Sequence, residues 1–108
     1  MDFVAVEDIA RANILAMKVD AEDEVFNVAS QVETSLRDLC FAMLEAMGSN
    51  LEPKFSPLPD ERKNVEVGRR LADTAKAQKL LDFIPKYDLE TGLKRLVDWL
   101  DGQKTRIV

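Results

Sequence analysis

The sequence predicts a mixed α/β fold in which four helices dominate and two or three short strands lie between them. Three observations carry this. Apolar residues recur at three- and four-residue spacing in four separate stretches. Two short runs, Phe3–Val6 and Val25–Ala29, are instead almost continuously apolar, with the β-branched and aromatic side chains that suit a pleated surface. Pro53, Pro57 and Pro59 interrupt the middle of the chain, where no helix can pass.

Taken in order, Phe3–Val6 reads as a buried strand. Glu7 and Asp8 then place negative charge where the positive end of a helix dipole favours it, which makes Asp8 a support for the helix start. That first helix runs to about Met17 with Ile9, Ala10, Asn13, Ile14 and Met17 along its inward stripe. Asp20–Glu24 is an acidic, solvated turn, and Val25–Ala29 is the second strand. Thr34 or Ser35 caps the second helix, and Asp38, three residues beyond Ser35, completes a variant of the capping box. Leu36, Leu39, Cys40, Met43, Leu44 and Met47 form the clearest apolar stripe of the chain, which puts Cys40 in the core as a small hydrophobe. Gly48 stands where a left-handed C-terminal residue is wanted.

Lys54–Ser56 and Arg69–Ala72 are short extended pieces, separated by a charged loop over Glu61–Gly68. Asp73 caps a third helix with Ala77, Leu80 and Leu81 facing inward, and Pro85 marks its end. Asp88 caps the fourth helix, whose inward face is Leu89, Leu93, Leu96, Val97 and Leu100. Trp99 lies off that stripe, Gly102 is its stop, and Gln103–Val108 frays.

Length and composition bound the chemistry. A chain of 108 residues is one domain or part of one. With 15 Lys and Arg against 20 Asp and Glu, the net charge of −5 argues against non-specific nucleic-acid binding, which draws its affinity from a basic footprint. No apolar stretch is long enough to span a bilayer, and no signal peptide opens the chain. The lone cysteine excludes an internal disulfide framework and a cysteine-based zinc site, and fits a cytoplasmic protein. The absence of histidine removes Ser–His–Asp triads, Cys–His dyads and imidazole metal ligands.

Four segments in this order resemble the C-terminal part of the extended short-chain dehydrogenase/reductases, and among them the NAD-dependent epimerases and dehydratases of nucleotide sugars. Asp2-Phe3-Val4-Ala5-Val6-Glu7-Asp8-Ile9-Ala10-Arg11-Ala12 is similar to the family's "D-aromatic-V-x-V-x-D-x-A-x-A" segment. Val25-Phe26-Asn27-Val28-Ala29-Ser30 resembles its "V-aromatic-N-V-G-S", followed by Thr34-Ser35-Leu36 opening a helix. Leu71–Ala77, then Leu80–Pro85 and Leu89–Leu93, resemble "A-D-x-S-K-A-x-x-x-L-G-F-x-P" and the helix after it. The sequence departs from the family where Ala5 replaces a common His or Tyr, and where Ala29 and Asp82 replace common glycines.

The resemblance implies that residues 1–108 are the C-terminal substrate-binding subdomain of a Rossmann-type enzyme, packed beside an NAD-binding domain that these residues do not include. The glycines are scattered, and none follows a strand as a pyrophosphate-cradling turn must. Tyr87 is followed four residues on by Thr91, so the family's Tyr-x-x-x-Lys pair is also missing. No catalytic, cofactor-binding or metal-binding residue is therefore assigned to this chain. The parent enzyme is expected to use NAD, and this chain alone to bind none.

For the substrate, the family holds a nucleotide-sugar diphosphate with an Arg about ten residues before the "A-D" motif. A guanidinium fork matches phosphate oxygens and stays charged. Here that region reads Arg62-Lys63-Asn64-Val65 in place of "R-x-G-D". Arg62 is the leading candidate, with Lys63 and Arg69 in reserve and Asn27 as a further substrate-side residue. Exposed apolar faces left by an absent partner domain predict self-association, with a homodimer as one form. The alternative is a free-standing acidic helical module that binds a partner protein through its methionine-rich second helix. The two strands are the feature expected to separate the readings, since a helical bundle has no need of them.

Overall fold

Four helices form in a computed structural model that describes residues 1–104: α1 (Val6–Lys18), α2 (Leu36–Met47), α3 (Ala75–Leu81) and α4 (Leu89–Lys104). They pair as α1 with α3 and α2 with α4. The expected strands do not form. Among the described residues the one β pairing is an isolated antiparallel bridge between Asp2 and Glu33. The reason is partnership. A strand is stable only beside a second strand, and neither Phe3–Ala5 nor Val25–Ala29 lies in a ladder with the other. Val6 belongs to α1, and Lys54–Ser56 and Arg69–Ala72 are likewise irregular. Phe26 and Val28 instead lean on the core from an unpaired segment.

The first helix is oriented opposite to the sequence expectation. Its buried residues are Asp8 and Ala12, with Leu15 and Val19 packed on the same core, while Ile14 and Met17 are exposed, Met17 at 84%. The 3.6-residue period fits both faces, and sequence alone chose the more apolar one. The core itself is small: Ala12, Ala77, Leu81 and Phe83 are buried, with Leu15, Val19, Phe26 and Val28 around them. Leu80 is exposed at 41%, so α3 contributes Ala77 and Leu81 only.

Local signals set the helix ends. Ser35, not Thr34, caps α2: its Oγ accepts from the Asp38 backbone N–H at 3.0 Å and donates to Asp38 Oδ2 at 2.7 Å. Gly48 closes α2 at φ 62°, and the Ser49 N–H reaches the Leu44 carbonyl at 2.9 Å. Thr74 holds the N-cap position of α3 in place of Asp73, whose carboxylate still accepts the Ala75 N–H at 2.9 Å. Asp82 ends α3 in the left-handed region at φ 55°, which glycine adopts at no cost and aspartate tolerates. The Asp88 carboxylate accepts the Thr91 N–H at 2.8 Å as α4 begins. That helix continues through Gly102 to Lys104, past its expected stop. The expected fraying falls partly on residues 105–108, outside the described ones.

The molecule is thin and open. It measures 49 × 41 × 22 Å with a radius of gyration of 17.1 Å, against about 13 Å for a compact domain of this length. Its accessible surface is 8800 Å², where a folded protein of this mass exposes roughly 6,100 Å².

Candidate functional site

Two carboxylates organise the surface that carries the polar groups. Asp2 accepts the Ser30 N–H at 2.8 Å, the Ser30 hydroxyl at 2.5 Å and the Gln31 N–H at 2.9 Å, fixing a turn in which Gln31 takes φ 62°. Asp8, fully buried, accepts the Lys86 N–H at 3.0 Å, the Tyr87 N–H at 3.1 Å and the Arg11 guanidinium at 2.8 Å. Arg11 also donates to the Ile84 carbonyl and lies 4.9 Å over the Phe83 ring. Burial by itself pushes the Asp8 carboxyl up. The hydrogen bonds from Lys86, Arg11 and Tyr87 outweigh it and hold the group below its ordinary value. Asp8 stands in the first turn of α1, as expected, and in addition anchors residues 84–87.

Residues of both anchored segments line a depression of about 560 Å³, with Ser30, Thr34, Lys86, Tyr87, Asp88 and Glu90 among its walls. Phe3, Asp88 and Leu89 also line a second, larger hollow of about 750 Å³, whose further walls include Val4, Leu39, Leu93 and Trp99. Arg95 covers the Tyr87 ring at 4.7 Å and pairs with Glu7 at 3.1 Å. Glu7 is held below the usual carboxylate range first by a backbone hydrogen bond and then by Arg95.

The basic candidates lie elsewhere. Residues 60–62 form one 3-10 turn inside the expected loop, held by local bonds such as Arg62 N–H to the Pro59 carbonyl at 2.9 Å. Arg62 is exposed, and its guanidinium is 3.7 Å from Glu66, whose other oxygen is 3.9 Å from Arg70. Lys63 pairs with Asp60 at 2.5 Å. Arg69 grips Glu33 with both arms of its fork, its Nε donating to Oε1 at 2.7 Å, which lowers the Glu33 carboxyl and raises Arg69. Asn27 donates to the Asp73 carbonyl at 3.5 Å and so ties its segment to the start of α3. Arg62, Lys63 and Arg69 thus each already face a carboxylate, which an incoming anion would have to displace. Asn27 is bonded to the backbone just before α3 and not to this loop.

The arrangement suits binding and positioning more than proton transfer. The carboxylates with resolved shifts, Glu7, Asp8, Glu33 and Asp88, all move downward and stay anionic near neutral pH. A general acid needs the opposite. Among the described residues no cluster of three His, Cys, Asp or Glu could hold a metal ion, and no helix is long and apolar enough to cross a membrane. The glycines do not form a dinucleotide cradle. Gly48 closes α2, Gly68 lies in the charged loop, and Gly92 and Gly102 lie within α4.

Sequence reasoning missed the shared lining of the depression between residues 30–34 and 85–90. Asp8 and Arg11 stand three residues apart on α1, a pairing the sequence analysis does not name, and nothing local points to Lys86 and Tyr87. Cys40 is half-buried and not in the core. Trp99 is 59% exposed, at the rim of the larger hollow.

No family model matches the chain. Individual proteins do. A UDP-glucose 4-epimerase of Mycolicibacterium smegmatis is 34% identical over 100 residues, which are 91% of this chain and 30% of that protein. Among solved structures, the UDP-glucose 4-epimerase of Thermotoga maritima with UDP-glucose superposes with a TM-score of 0.84 at 33% identity. The match covers 94% of this chain and 31% of that one. The Bordetella bronchiseptica enzyme WbmF in complex with NAD+ and UDP gives a TM-score of 0.79 at 27% identity, over 99% of this chain and 30% of that one. The chain spans about 30% of the length of the relatives it matches.

Proposed function

We propose that this chain, homologous to a stretch of the UDP-glucose 4-epimerases and related short-chain dehydrogenase/reductase enzymes, is the C-terminal substrate-binding subdomain of an NAD-dependent nucleotide-sugar epimerase or dehydratase. It recognises and orients the nucleotide sugar, while an NAD-binding Rossmann domain performs the redox step. The observation that carries this is the superposition of 94% of this chain on 31% of an enzyme solved with UDP-glucose. Positioning of this kind is the binding part of catalysis. The lone cysteine supports a cytoplasmic site of action.

The test uses the chain alone and a chimera in which it replaces the stretch it matches in the Thermotoga maritima epimerase. With NAD+ and UDP-glucose, the isolated chain is expected to give no UDP-galactose, and the chimera measurable conversion. Turnover by the isolated chain overturns the assignment. In the chimera, Arg62→Ala is expected to raise the KM for UDP-glucose about tenfold with kcat kept, the scale of one charge-assisted hydrogen bond. Arg69→Ala is expected to do less, because Arg69 is already committed to Glu33. An unchanged KM removes Arg62 from the site.

The alternative, a helical module that binds a partner through α2, draws support from the missing strands and from the exposure of Met43 and Met47. The superposition favours the enzyme reading.

A further inference from the structure

We infer that Glu33 is the fixed half of a clasp: it holds Arg69, and with it an exposed strap over residues 54–71, and it lets go when the diphosphate of a nucleotide sugar takes the Arg69 fork in its place. The inference rests on the reading above and adds how the basic loop is controlled. Residues 54–71 are all exposed, the apolar Leu58, Val65 and Val67 among them. Among the described residues, every hydrogen bond and ion pair made from residue 56 to residue 68 stays within residues 59–70. Two electrostatic contacts tie the strap to the body, one near each end. The Phe55 ring lies 5.3 Å from the Arg37 guanidinium of α2. The Arg69 fork grips Glu33, with Nε to Oε1 at 2.7 Å. Residues 33 and 37 are four apart in sequence, so the strap leaves and rejoins the body at one place, as a compact surface loop does.

The two halves of the clasp differ. Glu33 is held by its backbone: it bridges Asp2, and the N–H of its neighbour Thr34 reaches the Met1 carbonyl at 2.8 Å. Arg69 comes from the side with few ties. Glu33 offers the guanidinium two oxygens side by side, the same pair of acceptors that a phosphate offers. A diphosphate therefore competes with Glu33 for the same donors. Arg62, Lys63 and Arg70 answer to Glu66 and Asp60, carboxylates that travel with the strap. Arg69 alone pairs across to the body, so it couples anion binding to release. An exposed ion pair is weak enough to exchange. By linkage, what the ligand gains at Arg69 it takes from the clasp, and removing the Glu33 charge returns it.

The test uses Glu33→Gln, which keeps the shape of the side chain and removes its charge. In the isolated chain, a lysine-specific protease should cut after Lys63 about threefold faster in this variant than in the parent, because cleavage follows the open population. In the chimera, Glu33→Gln should lower the KM for UDP-glucose about two- to fivefold with kcat kept, the span of an exposed ion pair. Arg69→Ala should then raise KM more on the Glu33→Gln background than on the parent. A glutamate that served the fold alone would raise KM or cut kcat on removal. An epimerising chimera whose KM does not fall overturns this inference and leaves the enzyme reading standing. Unchanged cleavage at Lys63 in the isolated chain overturns it as well. A chimera without epimerase activity counts against the enzyme reading itself, and with it against the diphosphate as the releasing ligand.

Discussion

Replacing Asp8 by alanine is expected to destabilise the chain by about 3–5 kcal/mol, the cost of breaking a buried ion pair by removing one member. The substitution strips the acceptor from the Arg11 guanidinium and from the Lys86 and Tyr87 backbone N–H groups at once. Buried donors without acceptors cost more than the average hydrogen bond contributes. Asp8→Asn keeps the shape and one acceptor oxygen and is expected to lose about half as much. The same pair of proteins carries a pH signature. The Asp8 carboxyl titrates below its ordinary 3.8 in the fold, so its stabilisation is fully present above the unfolded value. It is lost as pH falls through the lower folded value. Urea midpoints of the parent chain and Asp8→Asn should therefore differ by a constant amount from pH 7 to about pH 5 and converge below about pH 4. A gap that does not shrink in acid would mean that the charge contributes nothing.

Phe83→Ala is the second large effect. Phe83 is 1% exposed and is the largest apolar side chain fully inside the core. Truncating a buried Phe costs about 3–5 kcal/mol through lost transfer energy and the cavity left behind. The loss is severe here because the core is thin. Ala12, Ala77 and Leu81 are the other buried members of its cluster, and Phe83 also supports Arg11 from below. A domain of ordinary stability holds about 5–15 kcal/mol in total, and this one leaves much of its apolar surface uncovered. Thermal unfolding followed by circular dichroism should show the midpoint falling by more than ~12 °C, or no cooperative transition. Met17→Ala, at an exposed position, should stay within about 0.5 kcal/mol of the parent. Equal effects at the two positions would place the core elsewhere.

What the sequence disclosed divides by range. The four helices were readable, and so were the ends that a local cap sets. Ser35 with Asp38, Gly48 and Asp88 each act within four residues. The buried face of α1 was not readable, since Asp8 enters the interior only through partners on residues 86 and 87. The strands failed for a related reason. Their composition is right for a sheet, but pairing depends on a neighbour that periodicity cannot reveal, and these segments find none among the described residues. Of the site, Arg62, Lys63 and Arg69 were named from a family resemblance. Their carboxylate partners Glu66, Asp60 and Glu33 emerged only in three dimensions.

Asp8 also dictates an order of events during synthesis. The amides that satisfy it come 78 and 79 positions later, so a chain leaving the ribosome carries this carboxylate without its backbone donors until almost the last helix has emerged. Closing so long a loop is entropically slow and is rewarded only once the ends meet. The anchor thus works as a late checkpoint. A nascent chain stopped within α3 has no latch, and one that has emerged past Tyr87 can shut.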